Sequence, residues 1–238
     1  MPVPLTLRAG ASSAYQALAE LAFPTTCLGC RHRLRPVPHQ PPLCVACRQA
    51  IPPAEPATLA VRFGKLPSPP PLEHLAALWT YDEHGTVAAV QHRLKYGNRP
   101  HLGLALGRWV AEALPEGFAC DLVVPVPLHR RRVLSRGYNQ SATLARGLAA
   151  RLDADLDLHL LRRARPTRSQ TALNHAARWA NVDGAFALRR DADVRGSHVL
   201  LIDDVLTTGA TLAAAARPLI EAGVSVSVAA LACTREYV

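Results

Sequence analysis

The sequence is poor in aromatic side chains, which make up only 5% of its 238 residues. Alanine, leucine and valine must therefore fill most of the interior. The hydrophobic share of 49% still supplies enough apolar surface for a core, which argues against a disordered chain. No apolar run approaches the roughly 20 residues that a membrane-spanning helix needs, so we predict no transmembrane segment.

Several motifs of other protein classes are missing as well. No Gly-Lys-Ser/Thr ending follows a glycine loop, which excludes a P-loop, and no Gly-x-Gly-x-x-Gly fingerprint indicates a dinucleotide site. The segment 1–22 carries a single cation, Arg8, and no sustained apolar core. We therefore predict no signal peptide and a cytoplasmic, reducing location. The sequence shows neither an internal repeat nor a recognisable helix-turn-helix pattern.

Acidic residues are outnumbered by basic ones. The chain has 27 lysines and arginines against 18 aspartates and glutamates, which gives a formal net charge of +9. Such an excess favours anionic partners, and both phosphorylated metabolites and nucleic acids meet that description.

Four of the six cysteines form two Cys-x-x-Cys pairs separated by 13 residues. In a reducing compartment such pairs favour metal binding over disulfides, and the spacing predicts a tetrahedral zinc site of the ribbon type. A redox pair and unligated structural thiols are the alternatives. His32 and His39 are alternative ligands, although four thiolates already complete the shell. The predicted zinc ligands are Cys27, Cys30, Cys44 and Cys47.

The cysteine-rich segment is predicted to be separate from the rest of the chain. Apolar residues at helical spacing predict an amphipathic helix over residues 12–23, which Pro24 ends. Seven prolines between Ile51 and Pro71 predict a partly extended connector. We therefore predict an N-terminal helix and zinc finger over residues 1–55 and a main domain over residues 72–238.

In the main domain, apolar strand patterns alternate with helical patterns, which predicts an α/β fold. Strands are predicted at residues 75–81, 121–127, 156–161, 199–202 and 224–233, the last near the sheet edge. Helices are predicted at residues 86–94, 102–114, 141–152 and 211–222. Lys95 and Arg99 lie between the first two helices and are better explained as solvated surface cations than as phosphate ligands.

The clearest functional pattern lies between Val199 and Leu212. A continuous apolar run suits a buried parallel strand, and the carboxylates of Asp203 and Asp204 follow where that strand is expected to end. A small-residue loop then leads into a helix, whose N-terminus attracts phosphate. The two carboxylates suit the hydroxyls of a ribose, so the stretch predicts a site for a sugar 5′-phosphate. A Mg²⁺ site alone and a solvated acidic turn are the alternatives. The predicted phosphate loop comprises Thr207, Thr208, Gly209, Ala210 and Thr211.

Two further segments are rich in cations. Residues 128–140 are predicted to form a loop after the second strand, and Arg130 and Arg136 within it suit a pyrophosphate group. An ordinary basic surface loop is the alternative. Residues 162–186 are basic and poorly periodic, which predicts a mobile flap over a polyanion or else a long surface crossover.

Taken together, these motifs resemble the ComF/GntX family of phosphoribosyltransferase-like proteins, whose competence members are called ComFC. The stretch from Asp203 to Thr211 resembles the phosphoribosyl-pyrophosphate (PRPP) motif of type I phosphoribosyltransferases. The other matching segments are Phe23-Pro24 before the cysteines, Leu94-Lys95-Tyr96-Gly97, Pro125-Val126-Pro127-Leu128, Arg136-Gly137-Tyr138-Asn139-Gln140 and the run Thr167, Gln170, Arg178, Asn181, Val182.

The resemblance implies a type I phosphoribosyltransferase fold, in which helices flank a mostly parallel sheet, with a small N-terminal zinc ribbon. It implies that PRPP binds with Mg²⁺, and that Asp203 and Asp204 are the catalytic acidic pair on the ribose. For competence members it also implies a cytoplasmic role with single-stranded DNA and the DNA-uptake machinery. Ligand-site residues carried over from the basic segments are Gly137, Asn139, Gln140, Gln170 and Arg178.

Three functions compete at this point. The chain is a PRPP-binding protein that handles single-stranded DNA, or an enzyme that transfers ribose 5-phosphate from PRPP to an unidentified acceptor, or a regulator that uses the same fold as a sensor. The regulator lacks a helix-turn-helix, and the enzyme lacks a clear general base beyond His129. For single-stranded DNA, we predict a contact through Arg31, Arg33 and Arg35, because these arginines lie in the cysteine-rich segment and are not assigned to pyrophosphate.

Overall fold

The computed structural model describes residues 24–97, 99–164, 182 and 184–235. The helix predicted over residues 12–23 and the ligand-site residues Gln170 and Arg178 lie outside the described residues. Among the helices that are described, none is both long and apolar enough to cross a membrane.

A five-stranded, entirely parallel sheet forms the centre of the fold. The strands of the structure are β1 (Leu75–Tyr81), β2 (Leu122–Pro125), β3 (Asp155–Leu156), β4 (Leu161–Arg163), β5 (Phe186–Leu188), β6 (His198–Leu206) and β7 (Ser225–Thr234). The order in the main sheet is β1-β7-β6-β2-β3, and β4 pairs with β5 in a separate antiparallel ribbon.

Helices cover both faces of this sheet. They are α1 (Val45–Gln49), α2 (Pro56–Gly64), α3 (Thr86–Tyr96), α4 (Pro100–Val110), α5 (Arg130–Arg136), α6 (Gln140–Leu152) and α7 (Ala210–Glu221), and a 3₁₀ turn (Ala111–Ala113) follows α4. Residues of α2 and α7 pack in one core layer, and residues of α3, α4 and α6 pack in the other. The α/β class and the mostly parallel sheet are thereby confirmed.

The central position of β6 in the sheet explains why its sequence from Val199 to Ile202 is continuously apolar. Val199 and Leu201 belong to the core layer with α7, whereas Leu200 and Ile202 belong to the opposite layer. All four side chains are fully buried, as expected for a central parallel strand that is covered on both faces.

One prediction about the sheet is wrong. β6 does not end at Ile202, because it pairs with β7 as far as Leu206, so the two aspartates lie within the last part of the strand. β7 lies near the sheet edge, as predicted, because its neighbour β1 is the edge strand. Its nearly continuous burial follows from the strands β1 and β6 on either side.

Three predictions about local structure are also wrong. The strand expected over residues 156–161 is replaced by β3 and β4, which belong to different sheets. The loop expected over residues 128–140 contains helix α5. The connector expected over residues 51–71 contains helix α2, which starts with a proline, a residue that a first helical turn accepts. The proposed division into two domains stays a prediction.

Candidate functional site

A cavity of about 640 Å³ opens where β2 and β6 end. In parallel α/β sheets this is the edge at which ligands bind. Charged and polar groups from six helices and strands, and from the loop after β6, face it. The residues that line it include Lys95, Arg132, Arg136, Gln140, Arg163, Asp203, Asp204, Thr207 and Thr211.

Asp203 is held in the cavity wall by two donors. The Ser141 hydroxyl and the main-chain N–H of Asp204 both donate to its Oδ1, each at 2.8 Å. Burial, followed by the neighbouring charge of Asp204, raises the pKa of the Asp203 carboxyl to about 7. The carboxyl is therefore poised to release its proton when a cation or a set of hydroxyl donors arrives.

Asp204 is paired with Lys95, whose Nζ lies 3.0 Å from Oδ2 of the carboxylate. Lys95 also donates to Oε1 of Gln91 at 2.9 Å, and Nε2 of Gln91 donates to the Asp204 carbonyl at 3.2 Å. The Lys95 side chain is only 25% exposed, so the prediction that it is a solvated surface cation is wrong. The Lys95 ammonium group is held by these two contacts in the wall of the cavity.

The predicted phosphate loop connects β6 to α7. Thr207 and Thr211 line the cavity, whereas Thr208 is buried and its Oγ1 accepts from the Ala210 N–H at 3.4 Å. Gly209 caps α7 with a φ of +80°, a left-handed conformation that favours glycine. The loop therefore offers the cavity two threonines and the positive end of a 12-residue helix.

The basic segment after β2 contributes unequally to the cavity. Arg136 lies in the wall, where it donates to Oε1 of Gln140 at 3.1 Å and lies 5.6 Å from the centre of the Tyr96 ring. Arg130 is exposed and is not among the described lining residues. The sequence prediction for this segment did not single out Arg132, which does line the cavity.

The remaining residues of that segment shape the turn into α6. Gly137 ends α5 in the left-handed conformation with a φ of +83°. Asn139 caps α6 through an Oδ1 that accepts from the Ser141 N–H, while its Nδ2 donates to the Val126 carbonyl at 3.1 Å. These contacts place Ser141, which holds Asp203, at the start of the helix.

Arg163 at the end of β4 also lines the cavity; the sequence prediction placed it in the basic segment 162–186 but did not single it out. Its guanidinium lies 5.1 Å from the centre of the Phe186 ring, and burial, together with the charge of Arg132, lowers its pKa. A buried guanidinium beside a second cation is a setting in which a bound anion would offset the cost of the charge. The dense cations after residue 161 were the available signal.

The four predicted zinc ligands converge. Their sulfur atoms all lie within 4.8 Å of one another, and Cys30 Sγ and Cys44 Sγ are 3.8 Å apart. A tetrahedral site with Zn–S bonds of about 2.3 Å places its sulfurs about 3.8 Å apart. His32 and His39 are exposed and do not belong to the cluster that the described residues form. The donor set therefore fits a zinc ion.

The thiols of this cluster interact strongly. Burial raises the pKa of Cys27, but backbone N–H groups, first that of Cys44, outweigh it and lower the value to about 6. A hydrogen bond to Cys44, followed by burial, raises the pKa of Cys47 to about 12. Four adjacent thiolates therefore need a cation to coexist.

The cysteine cluster is packed against the body of the protein. A Cβ added at Gly29 would lie 2.8 Å from both Cys47 Sγ and the Thr86 hydroxyl, so glycine is required by this close approach. Arg48 in α1 donates to both carboxylate oxygens of Glu112, at 2.7 and 2.9 Å, and lies 4.1 Å above the Trp109 ring. The cluster thereby contacts the same helical layer that covers β6.

Comparison with known proteins gives three informative relatives. The chain is 33% identical to the DNA utilization protein YhgH of Salmonella typhimurium over 187 residues, which cover 76% of this chain and 79% of that protein. It is 36% identical to Competence protein F of Haemophilus influenzae, covering 39% of this chain and 41% of that protein. It is 31% identical to Competence protein ComFC of Bacillus subtilis, covering 48% and 44%.

The sequence model of the phosphoribosyl transferase domain matches residues 138–237. That span contains α6, the acidic pair and the phosphate loop, and together with the parallel sheet it defines the type I phosphoribosyltransferase fold. The chain belongs to the ComF family of phosphoribosyltransferase-like proteins.

Proposed function

We propose that this protein binds PRPP in the cavity at the carboxyl ends of β2 and β6 and couples that binding to the handling of single-stranded DNA. One observation supports the proposal that PRPP binds in this cavity. A carboxylate pair, a phosphate-type helix N-terminus and a set of cations all face one cavity. PRPP is a ribose with a phosphate at one end and a pyrophosphate at the other, so it needs each of these three groups.

The ribose and its 5′-phosphate would occupy the β6 side of the cavity. Asp203 and Asp204 accept hydrogen bonds from the ribose hydroxyls, since a carboxylate only accepts. Thr207, Thr211 and the N-terminus of α7 bind the 5′-phosphate. In this assignment Thr208, Gly209 and Ala210 contribute backbone rather than side-chain groups.

The pyrophosphate would lie towards the basic wall. Lys95, Arg132, Arg136 and Arg163 supply the charge, and Gln140 orients Arg136. We further assign Gln170 and Arg178 to this group, and Arg130 to its outer rim. Mg²⁺ bound with PRPP would lower the charge of the pyrophosphate, and the half-buried Asp203 carboxyl in the cavity wall would face that ion in its ionised form.

We assign a structural zinc ion to the four-cysteine cluster. The segment is too small to bury much apolar surface by itself, so metal binding would stabilise its fold. Reduced thiols are required for this site, which supports a cytoplasmic location.

The second half of the proposal rests on a groove beside the cysteine cluster. A depression of about 640 Å³ lies between that segment and α4, with cationic and imidazole side chains on a mostly apolar lining. Apolar surface with a basic rim suits single-stranded DNA, which presents base faces and phosphates together. The polar side chains of the rim include Arg35, His39, Arg99 and His101. Arg31 and Arg33 are exposed in the same segment and would extend the contact.

The relatives add weight to this half, because their names refer to DNA utilization and to competence. We accordingly propose a role of this chain in DNA uptake, in contact with the uptake machinery.

Thermal unfolding with four ligands tests the PRPP site. If the ribose-phosphate side and the basic wall of the cavity act together, PRPP with Mg²⁺ raises the unfolding temperature more than ribose 5-phosphate or magnesium pyrophosphate alone. AMP, which has a ribose 5-phosphate but no pyrophosphate, should raise it less than PRPP does. Equal shifts for PRPP and either half would show that only one half of the cavity binds.

Transfer of ribose 5-phosphate to an acceptor is the alternative function. The acidic pair beside the proposed ribose position favours it, because positive charge develops on the sugar as pyrophosphate leaves. His129 is not among the described residues that line the cavity, and its Nδ1 accepts from the Arg131 N–H at the start of α5. Incubation with PRPP, Mg²⁺ and a panel of bases tests this alternative. A transferase releases one pyrophosphate for each base that it modifies, whereas a protein that only binds PRPP releases none.

A further inference from the structure

A buried arginine lies next to the phosphate loop. Arg62 belongs to α2 and is only 5% exposed. Its Nη1 donates to the Thr207 carbonyl and, at 2.9 Å, to the Thr234 hydroxyl, while its Nη2 donates to the Thr234 carbonyl. Arg62 therefore joins the first residue of the loop to the end of β7.

No carboxylate forms an ion pair with Arg62 within the part of the chain that the structure describes. A buried charge without a counter-ion is costly, because burial removes its hydration. Arg62 is also absent from the described residues that line the cavity, although Thr207 is one of them. Its positive charge thus lies directly behind the loop that would hold a dianionic phosphate.

The hydrogen bonds of Arg62 also fix the peptide between Thr207 and Thr208. The Thr207 carbonyl accepts from Arg62 and, at 3.5 Å, from the Thr234 hydroxyl. In a trans peptide the C=O and N–H groups point in opposite directions, so the Thr208 N–H points away from Arg62. That N–H has no hydrogen-bond acceptor within the described residues.

The neighbouring residue completes this contact. The ring of Phe63 packs on the loop so closely that a Cβ added at Gly209 would lie 3.1 Å from it. Successive residues of α2 thus hold both the start of the loop and its glycine.

We infer that Arg62 is a positioning residue for the 5′-phosphate, which directs the Thr208 N–H towards that group and supplies a buried positive charge behind it. The inference rests on the proposed function, because it assumes that the loop binds a phosphate. It assigns to α2, outside the segment that matches the phosphoribosyl transferase domain, a direct part in shaping the ligand site.

The test compares two probes that use different halves of the cavity, ribose 5-phosphate and magnesium pyrophosphate, in calorimetric titrations of the full chain. The variants are Arg62→Met, which removes charge and donors, and Arg62→Lys, which keeps the charge. Arg146→Met, an exposed position on α6, is the control for loss of one positive charge.

We expect Arg62→Met to weaken ribose 5-phosphate binding by about tenfold or more and magnesium pyrophosphate binding by less than about twofold. Arg62→Lys should recover part of the lost affinity, and Arg146→Met should match the wild type. Unchanged ribose 5-phosphate binding in Arg62→Met would overturn the inference. An equal loss for both probes in both Arg62 variants would also overturn it, because that pattern indicates general loss of structure.

The outcome for the wild type separates the inference from the proposed function. If the wild-type protein binds magnesium pyrophosphate but not ribose 5-phosphate, the phosphate assignment of the loop is wrong and the role of Arg62 is wrong with it. If the wild type binds both probes, the proposed site stands whatever the Arg62 variants show.

Discussion

Replacing Asp203 by asparagine should stabilise the protein at neutral pH while it weakens ligand binding. The asparagine Oδ1 can still accept from the Ser141 hydroxyl, whose distance to the aspartate Oδ1 is 2.8 Å. The substitution removes a carboxylate that burial and Asp204 make costly to ionise. Removing this charge should therefore increase the free energy of unfolding, because the functional carboxylate is kept at a cost to stability.

The size of the effect follows from the pKa of Asp203, which burial and Asp204 raise from 3.8 to about 7. The difference corresponds to at most about 4 kcal/mol. The native state relaxes when the group ionises, so we expect a gain of about 1 to 3 kcal/mol at pH 8. Between pH 4 and about 7 the folded protein holds this proton more tightly than the unfolded chain does, so rising pH lowers the stability of the wild type relative to the variant.

Urea denaturation of both proteins at pH 4, 6 and 8 measures this. The variant and the wild type should differ little at pH 4, and the variant should be the more stable at pH 8. PRPP affinity, measured at pH 8, should be lower in the variant. A variant that is less stable than the wild type at pH 8 would refute the assignment of a destabilising carboxylate.

Three further variants test other parts of the account. Cys30→Ser should lose zinc, measured by elemental analysis, and expose the segment to protease, whereas wild-type protein purified without zinc under reducing conditions would contradict the metal assignment. Lys95→Met should weaken magnesium pyrophosphate binding by about tenfold and destabilise the protein, because it leaves the Asp204 carboxylate unpaired; unchanged calorimetric affinity would contradict this role. The combined change of Arg31, Arg33 and Arg35 to alanine should weaken single-stranded DNA binding by anisotropy and flatten a salt dependence of about −0.7 per phosphate, with PRPP binding retained. Wild-type protein without salt-dependent DNA binding would contradict the proposed DNA contact.

The sequence was sufficient for the elements whose burial pattern is strong. The expected strand over residues 75–81 coincides with β1, and the helix expected over residues 141–152 differs from α6 by one residue. Both have the apolar periodicity that decides between strand and helix. The position of the loop between β6 and α7 was also predictable, because a strand, small residues and a helix follow one another without a gap.

The wrong predictions concern elements whose local pattern competes with their tertiary setting. α2 begins at Pro56 within a stretch that contains seven prolines, so its sequence was interpreted as a connector although its residues Leu59 and Phe63 are apolar and buried. α5 has no buried residue and is rich in arginine, so its sequence lacks the apolar periodicity that would predict a helix. The division of residues 156–161 between β3 and β4 follows from pairing in two different sheets, which no local pattern encodes.

The candidate site shows the same limit. The carboxylates in the last part of β6 and the threonines that follow the strand are close in sequence, so their grouping was predictable. Lys95 reaches Asp204 from α3, and Arg163 reaches the cavity from β4, so both depend on how distant elements pack. The same holds for Arg62, whose partners Thr207 and Thr234 follow it by more than half the chain.

Calorimetric titration with PRPP in the presence of Mg²⁺ tests the central claim most directly. Wild-type protein should bind one PRPP per chain, and the double variant Asp203→Asn with Asp204→Asn should lose that binding. A matched control, Asp191→Asn with Asp193→Asn, removes the same charge from exposed positions and should bind as the wild type does. No binding by the wild type, or equal affinity in the Asp203 and Asp204 double variant, would contradict the claim that this cavity is a PRPP site.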